Sequence, residues 1–197
     1  MRHPFVEGNR IYLRGIERKD LEGPFFQWAN DKEVTRHLFM GAVPNIMENL
    51  EEWFNNIRKC NEDIVFMVVD KLKDKEIGFC GFHRILWMHR HAEYRVFIGE
   101  KDYWDKGYGQ EIMKLMVRYG FEILNFNKVW LGVTASHKRA VSSYLKSGMV
   151  EEGVLRQEIY RNSRYHDAVR MSMLRDEYYA RHKKGWDKEI QNVFEEM

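Results

Sequence analysis

Proline occurs three times and cysteine twice in 197 residues. No proline-rich or Gly/Ser-rich stretch marks a linker, and no repeat is visible. Cys60 and Cys80 are too few for a disulfide framework. Both stand in apolar surroundings, which predicts two small buried side chains. Charge of one sign is also missing: 32 basic against 30 acidic residues leave a formal charge of +2. That balance argues against a nucleic-acid-binding tail and a polybasic membrane anchor. The longest plain apolar run, Ile64 to Val69, is far short of a membrane span. Residues Met1 to Asn9 lack the apolar stretch of a signal peptide, so a cytoplasmic protein is expected. Several catalytic signatures are absent too. A dinucleotide fingerprint fails because Ile112 stands where its third glycine belongs, and no Walker A, H-E-x-x-H, G-x-S-x-G or C-x-x-C occurs. His83, His89 and His91 are close in sequence, but no carboxylate or cysteine completes a ligand set, so no metal is expected.

Aromatic residues are abundant instead: 12 Phe, 6 Trp and 10 Tyr make 14% of the chain, enough for a compact core. The length fits one domain with an added element. Ile11 to Arg14 reads as a first strand, and Lys19 to Asn30 as a helix interrupted at Gly23-Pro24. Asn45-x-x-Glu48 resembles a capping box opening a helix that runs to about Cys60. Ile64 to Asp70, Ile77 to Ile85 and His91 to Gly99 form an antiparallel meander. From Gly107 to Leu124 the period changes to that of a buried helix, with rows Ile112, Met116, Tyr119, Ile123 and Met113, Val117, Gly120, Leu124. A strand at Val129 to Thr134, a helix at Lys138 to Lys146 and two strands near Met149 to Ile159 and Arg164 to Leu174 complete a mixed, mostly antiparallel α/β (α+β) domain. Residues 1–174 read as the domain and 175–197 as a helical extension. The extension's stripe of Trp186, Ile190, Val193, Phe194 and Met197 suits packing on its own domain or a homodimer contact.

Chemistry concentrates in two segments. Trp104-Asp105-Lys106-Gly107-Tyr108-Gly109-Gln110 follows a strand and opens a long helix. Helix N-termini carry free N–H groups and a positive dipole end, and glycines let the backbone approach a phosphate. After the next strand comes His137-x-x-Ala140-x-x-x-Tyr144-x-Lys146-x-Gly148-Met149. Together these segments resemble the GNAT superfamily of acyl-CoA-dependent N-acetyltransferases, whose motifs are Arg/Gln-x-x-Gly-x-Gly/Ala and Asn-x-x-Ala/Ser-x-x-x-Tyr-x-Lys-x-Gly-Phe. The resemblance covers Ile11 to about Leu174 and implies the GNAT fold. Leu13-Arg14, Trp28-Ala29-Asn30-Asp31-x-Glu33-Val34, Ala92-Glu93 and Trp104-x-Lys106-Gly107-Tyr108-Gly109 look like the RimJ/RimL-like branch. Trp104 replaces Arg/Gln, His137 replaces Asn, and Met149 replaces Phe.

The resemblance implies acetyl transfer from acetyl-CoA to a primary amine such as a protein N-terminus, a polyamine or an amino sugar. It puts the CoA pyrophosphate on the amides of Asp105, Lys106, Gly107, Tyr108, Gly109 and Gln110. Pantetheine then lies along Val96, Phe97 and Ile98, where a bulge would aim an amide at the thioester oxygen. His137, Lys138, Arg139, Ala140, Tyr144 and Lys146 complete the cofactor side. Tyr144 corresponds to the tyrosine that donates to the departing sulfur, and Glu93 is the candidate base. Trp28, Phe39, Met40, Tyr160 and Tyr165 are candidates for the acceptor wall. Glu17 to Glu52 carries eight acidic and four basic residues, and Lys101 to Arg139 seven basic and four acidic, which would suit a cationic amine beside the first segment and an anionic cofactor on the second. A non-catalytic acyl-CoA-binding module is the alternative. A nucleic-acid partner is disfavoured by the near-zero net charge.

Overall fold

The computed structural model describes residues 3–183; the tail stripe from Trp186 onward lies outside them. Eight strands form one sheet: β1 (Val6–Glu7), β2 (Ile11–Gly15), β3 (Ile64–Asp70), β4 (Lys75–Leu86), β5 (His91–Ile98), β6 (Lys128–Thr134), β7 (Val150–Arg161) and β8 (Arg164–Leu174), in the order β1-β2-β3-β4-β5-β6-β8-β7. All neighbours are antiparallel except β5 and β6. That parallel pair is short: His91, Ala92 and Glu93 face Lys128, Val129 and Trp130, and pairing stops there. Beyond Glu93 the two strands part, and the last residues of β5 face an opening instead of a neighbouring strand. Among the described residues no helix is long and apolar enough to cross a membrane.

Alternation along the strands sends side chains to two faces. Phe66, Val68, Cys80, Phe82, Tyr94, Leu131 and Met171 pack on α4 (Tyr108–Arg118, continuing through Tyr119–Ile123). Tyr178 of α6 (Arg175–Lys183) joins the same core, fully buried against Phe121. Phe79 and Phe97 point the other way, toward the helical segment α1 (Arg18–Asp20, Leu21–Phe25 and Phe26–Asn30), α2 (Lys32–Thr35) and α3 (Met47–Lys59). The interruption expected in α1 is a kink at Gly23 (φ −87°, ψ −142°) before Pro24.

Four expectations need correction. Ile123, at the end of one buried row, is 54% exposed, because the helix widens over Tyr119–Ile123 and rotates the row outward. Cys60 is exposed, standing at the C-terminal end of α3 where the chain leaves the core, while Cys80 is buried as read. Asn45 does not cap α3. Its amide donates to the carbonyls of Ala29 and Met40 (2.9 Å each), and Ile46 occupies the cap position. Finally, Gly78 to His83 pair in unbroken register with Ile98 to Glu93, so no bulge falls at Val96–Ile98. The irregularity lies between His83 and Leu86, beside Arg84 with φ 49°.

Candidate active site

The opening past Glu93 continues into a cleft of about 560 Å³. One wall is the end of β5: Val96, Phe97 and Ile98. Its floor is the turn into α4, where Asp105, Gly107, Tyr108, Gly109 and Gln110 line the cleft. A second wall is α5 (Lys138–Lys146), which follows β6 and contributes Arg139, Ala140, Tyr144 and Lys146, with His137 preceding it. Two segments separated by about thirty residues therefore share one cavity, because parallel β5 and β6 each deliver a helix N-terminus to the same end of the sheet.

The turn has the geometry its glycines allow. Gly107 precedes α4 with φ 81°, a left-handed conformation that costs a side-chain-bearing residue about 1–2 kcal/mol. Arg10, at the start of β2, holds this turn. Its Nε donates to Glu111 (2.7 Å), its backbone N–H to the same carboxylate (2.8 Å) and its Nη1 to the Lys106 carbonyl (2.9 Å). The guanidinium also lies 4.2 Å from the centre of the Tyr108 ring, and the Tyr108 hydroxyl donates to Asp70 (3.1 Å). Trp104, which replaces Arg/Gln in the motif, donates its indole N–H to the Ile98 carbonyl (2.9 Å) and so ties the turn to β5. The amides at the start of α4 are thereby held toward the cleft, an arrangement that suits a diphosphate. Lys106 and Lys138 are exposed and do not line the cavity.

Tyr144 sits on the inner face of α5, packed against the main core. Burial pushes its phenol up to about 12. Among the described residues its hydroxyl has no hydrogen-bond partner. Tyr94, on the core face of β5, interacts with it electrostatically, and the Tyr94 hydroxyl is buried and unpartnered. Nothing in the sequence marks Tyr94, whose phenol is hidden at an ordinary strand position.

Glu93 stands at the point where β5 and β6 part. Its side chain is 12% exposed, with Arg95 at 2.9 Å and Arg84 at 3.7 Å, and it does not line the cleft. Trp28 is buried away from the cleft. Its indole N–H donates to Glu100 (3.0 Å), and a Cβ at Gly99 would lie 2.0 Å from its ring, so Gly99 gives the ring its space. Met40 packs among the helices of that face. Phe39 is 86% exposed, and Tyr160 and Tyr165 lie against each other at the β7–β8 tip, ring centroids 5.0 Å apart and planes tilted by 55°, with 64% exposure each. None of these five lines the cavity. The wall opposite α5 is instead Glu33, Val34, Arg36, His37 and Leu38, positioned because the Asp31 carboxylate caps α2 through the amides of Glu33 (2.8 Å) and Val34 (3.2 Å).

The comparisons with known proteins agree with this geometry. Residues 10–150 match the family described as acetyltransferase (GNAT) domain. Spermidine N(1)-acetyltransferase of Vibrio cholerae serotype O1 is 31% identical over 88% of this chain and 98% of its own. The enzyme of the same name from Escherichia coli K12 is 30% identical over 88% and 90%. The crystal structure of the V. cholerae spermidine N-acetyltransferase in complex with CoA and spermine superposes with a TM-score of 0.79 at 31% identity, covering 86% of this chain and 98% of that one. With a matching domain, a shared mixed sheet and a cleft suited to CoA, the chain belongs to the GNAT acetyltransferase family and is an acetyl-CoA-dependent N-acetyltransferase.

Proposed function

We propose that the protein acetylates a primary amine by direct transfer within a ternary complex, in a domain spanning 1–174 with 175–197 as an extension. The observation that carries this reading is the unpartnered Tyr144 hydroxyl in one cavity with the Gly107–Gln110 turn and Val96–Ile98. The pyrophosphate of CoA rests on the amides between Asp105 and Gln110, with Arg139 and Lys146 beside it. Pantetheine runs along Val96–Ile98, where β5 has lost its neighbour. Residues of the RimJ/RimL-like pattern support an assignment to that branch, and the relatives' action on spermidine makes a polyamine one acceptor to test. A homodimer is part of the same reading, and sedimentation in solution checks it.

In the reaction the amine nitrogen bonds to the acyl carbon and the carbon–sulfur bond breaks. The departing thiolate accepts a hydrogen bond from Tyr144. A free thiol has a pKa of ~8.5, and raising the donor to about 12 makes full proton transfer uphill by about 5 kcal/mol. Tyr144 therefore acts as a hydrogen-bond donor to sulfur, and solvent supplies the proton. The amine must shed a proton as well, since a lysine-like ammonium (pKa ~10.4) is only about one part in a thousand neutral near pH 7. Glu93 accepts that proton through a water relay, because it does not itself line the cleft, and its carboxylate is shared with Arg95 and Arg84. Free-thiol release from acetyl-CoA with a panel of primary amines tests the reading. Turnover with one amine supports it, whereas tight acetyl-CoA binding without thiol release on any amine favours the non-catalytic module.

A further inference from the structure

The helix that carries Tyr144 is held differently at its two ends. At the C-terminal end of α5 the Met149 N–H donates to the Tyr144 carbonyl (3.0 Å), and Gly148 takes φ 91°, the left-handed turn that ends a helix. At the N-terminal end His137 occupies the cap position, and its side chain makes no cap hydrogen bond. Asparagine, aspartate, serine or threonine there would accept from the amides of the first turn. The imidazole of His137 is used otherwise. It lines the cleft and stacks on His37, ring centroids 4.0 Å apart and planes 24° apart. A second tie at this end, Arg139 to Asp105 at 2.7 Å, joins side chains that are 51% and 66% exposed, and such a pair holds weakly in water.

His37 is fixed from its own side. It follows α2, which Asp31 caps and which Lys101 braces by reaching Asp31 and Glu33 at 2.9 and 2.6 Å. The Thr35 hydroxyl donates to the Asp31 carbonyl (2.8 Å), and the Leu38 N–H donates to the Thr35 carbonyl (2.7 Å). Leu38 also packs into the helical core of that face. The backbone on both sides of the His37 ring is therefore tied down. Near pH 7 the stack brings no charge of its own, because burial first, then the charges of Arg36, Arg139 and Arg161, hold both imidazoles below their usual range. Two flat neutral rings in contact attract each other. His137 and Tyr144 are about two helical turns apart, which puts them on one side of α5, and both line the cleft.

We infer that His37 is a positioning residue for the transfer step: its ring, stacked on His137, stands in for the missing side-chain cap of α5 and holds that helix, and with it the Tyr144 hydroxyl, against the departing sulfur. This rests on the role given to Tyr144 above and deepens it. His37 does not touch the reacting atoms and acts through His137 and α5. The wall opposite α5 thereby supports the group that serves the cofactor.

Thiol release with a turned-over amine, read beside the calorimetric Kd for acetyl-CoA, tests this. His37→Ala should lower kcat about fivefold, the scale of one aromatic contact, and change Kd by less than about twofold, which also shows that the variant is folded. His37→Gln, which removes the ring and keeps more of the bulk, repeats the comparison if alanine disturbs the fold. His37→Phe keeps a flat ring and should recover most of the loss. His137→Asn supplies a side chain that can cap α5, so within that background the further change His37→Ala should cost less than about twofold in kcat. Within a Tyr144→Phe background it should also cost less than about twofold, because His37 acts through Tyr144. A loss of about fivefold that persists in either background overturns the inference, and so does an unchanged kcat in His37→Ala or a His37→Phe variant as slow as His37→Ala. If Tyr144→Phe alone leaves kcat unchanged, the role of Tyr144 fails and the inference falls with it. Absence of thiol release with every amine overturns the acetyl-transfer reading itself, and both fall.

Discussion

The two sides of the cleft are built differently. The turn into α4 is backbone geometry held by a dense network: Arg10 reaches Glu111 and Lys106, Tyr108 reaches Asp70, and Trp104 reaches Ile98. The opposite wall is a short capped helix followed by Arg36, without a partner among the described residues, and His37, stacked on His137 at the start of α5. In the proposed reading one side offers a fixed array of amides to a diphosphate, and its side chains are used on the protein itself. The other presents side chains outward, and its chemistry is decided by which charges those side chains carry. A common cofactor and a variable acceptor fit that division.

The largest expected effect falls outside the cleft lining, at Glu93, where β5 and β6 part. Glu93→Gln should lower kcat/KM by about 10²-fold and remove the acidic limb of its pH profile, the scale of a lost general base. A retained acidic limb would exclude Glu93 as the base and leave the proton to water alone. Smaller losses should be confined to the cofactor side. Gly107→Val forces a β-branched residue into φ 81° and should raise KM for acetyl-CoA by about tenfold through strain of about 1–2 kcal/mol. Arg10→Gln keeps the turn but loosens it, so a rise of about threefold in the same KM is expected from hydrogen bonds that are partly exposed. If either variant instead moved KM for the amine, the separation of the two sides would be wrong.

The smallest effect concerns the histidine pair. Burial, then the charges of His137 and the arginines, lower the His37 pKa from 6.5 to about 4. Between those values the unfolded chain binds the proton more readily than the folded one, so stability rises with pH across this window and falls on acidification from 6.5 toward 4. Melting temperature against pH should show this slope, and His37→Gln should flatten it. An unchanged slope in the variant would mean that His37 is not held neutral by its surroundings.

The same division explains what the sequence revealed. Gly107-Tyr108-Gly109 and His137 to Tyr144 are local patterns, and the strands that precede them are regular, so the cavity they share could be anticipated from spacing and resemblance. Arg10 could not, because its role depends on a glutamate 101 positions away. Strand β1 is two residues long and has no alternation to read. Asn45 had the spacing of a cap, but tertiary contacts with Ala29 and Met40 took its side chain. Trp28 had the look of a pocket aromatic and is packing against Gly99. The stacking of His37 on His137 brings together residues from two distant segments, and local periodicity carries no trace of it.

In the proposed reaction Tyr144, on the inner face of α5, serves the departing sulfur. Its most direct test is Tyr144→Phe, measured twice, by kcat for thiol release with a turned-over amine and by calorimetric Kd for acetyl-CoA. A fall in kcat of about 10²-fold with Kd unchanged within about twofold is the predicted result. An unchanged kcat, or a loss wholly explained by weaker acetyl-CoA binding, would contradict it.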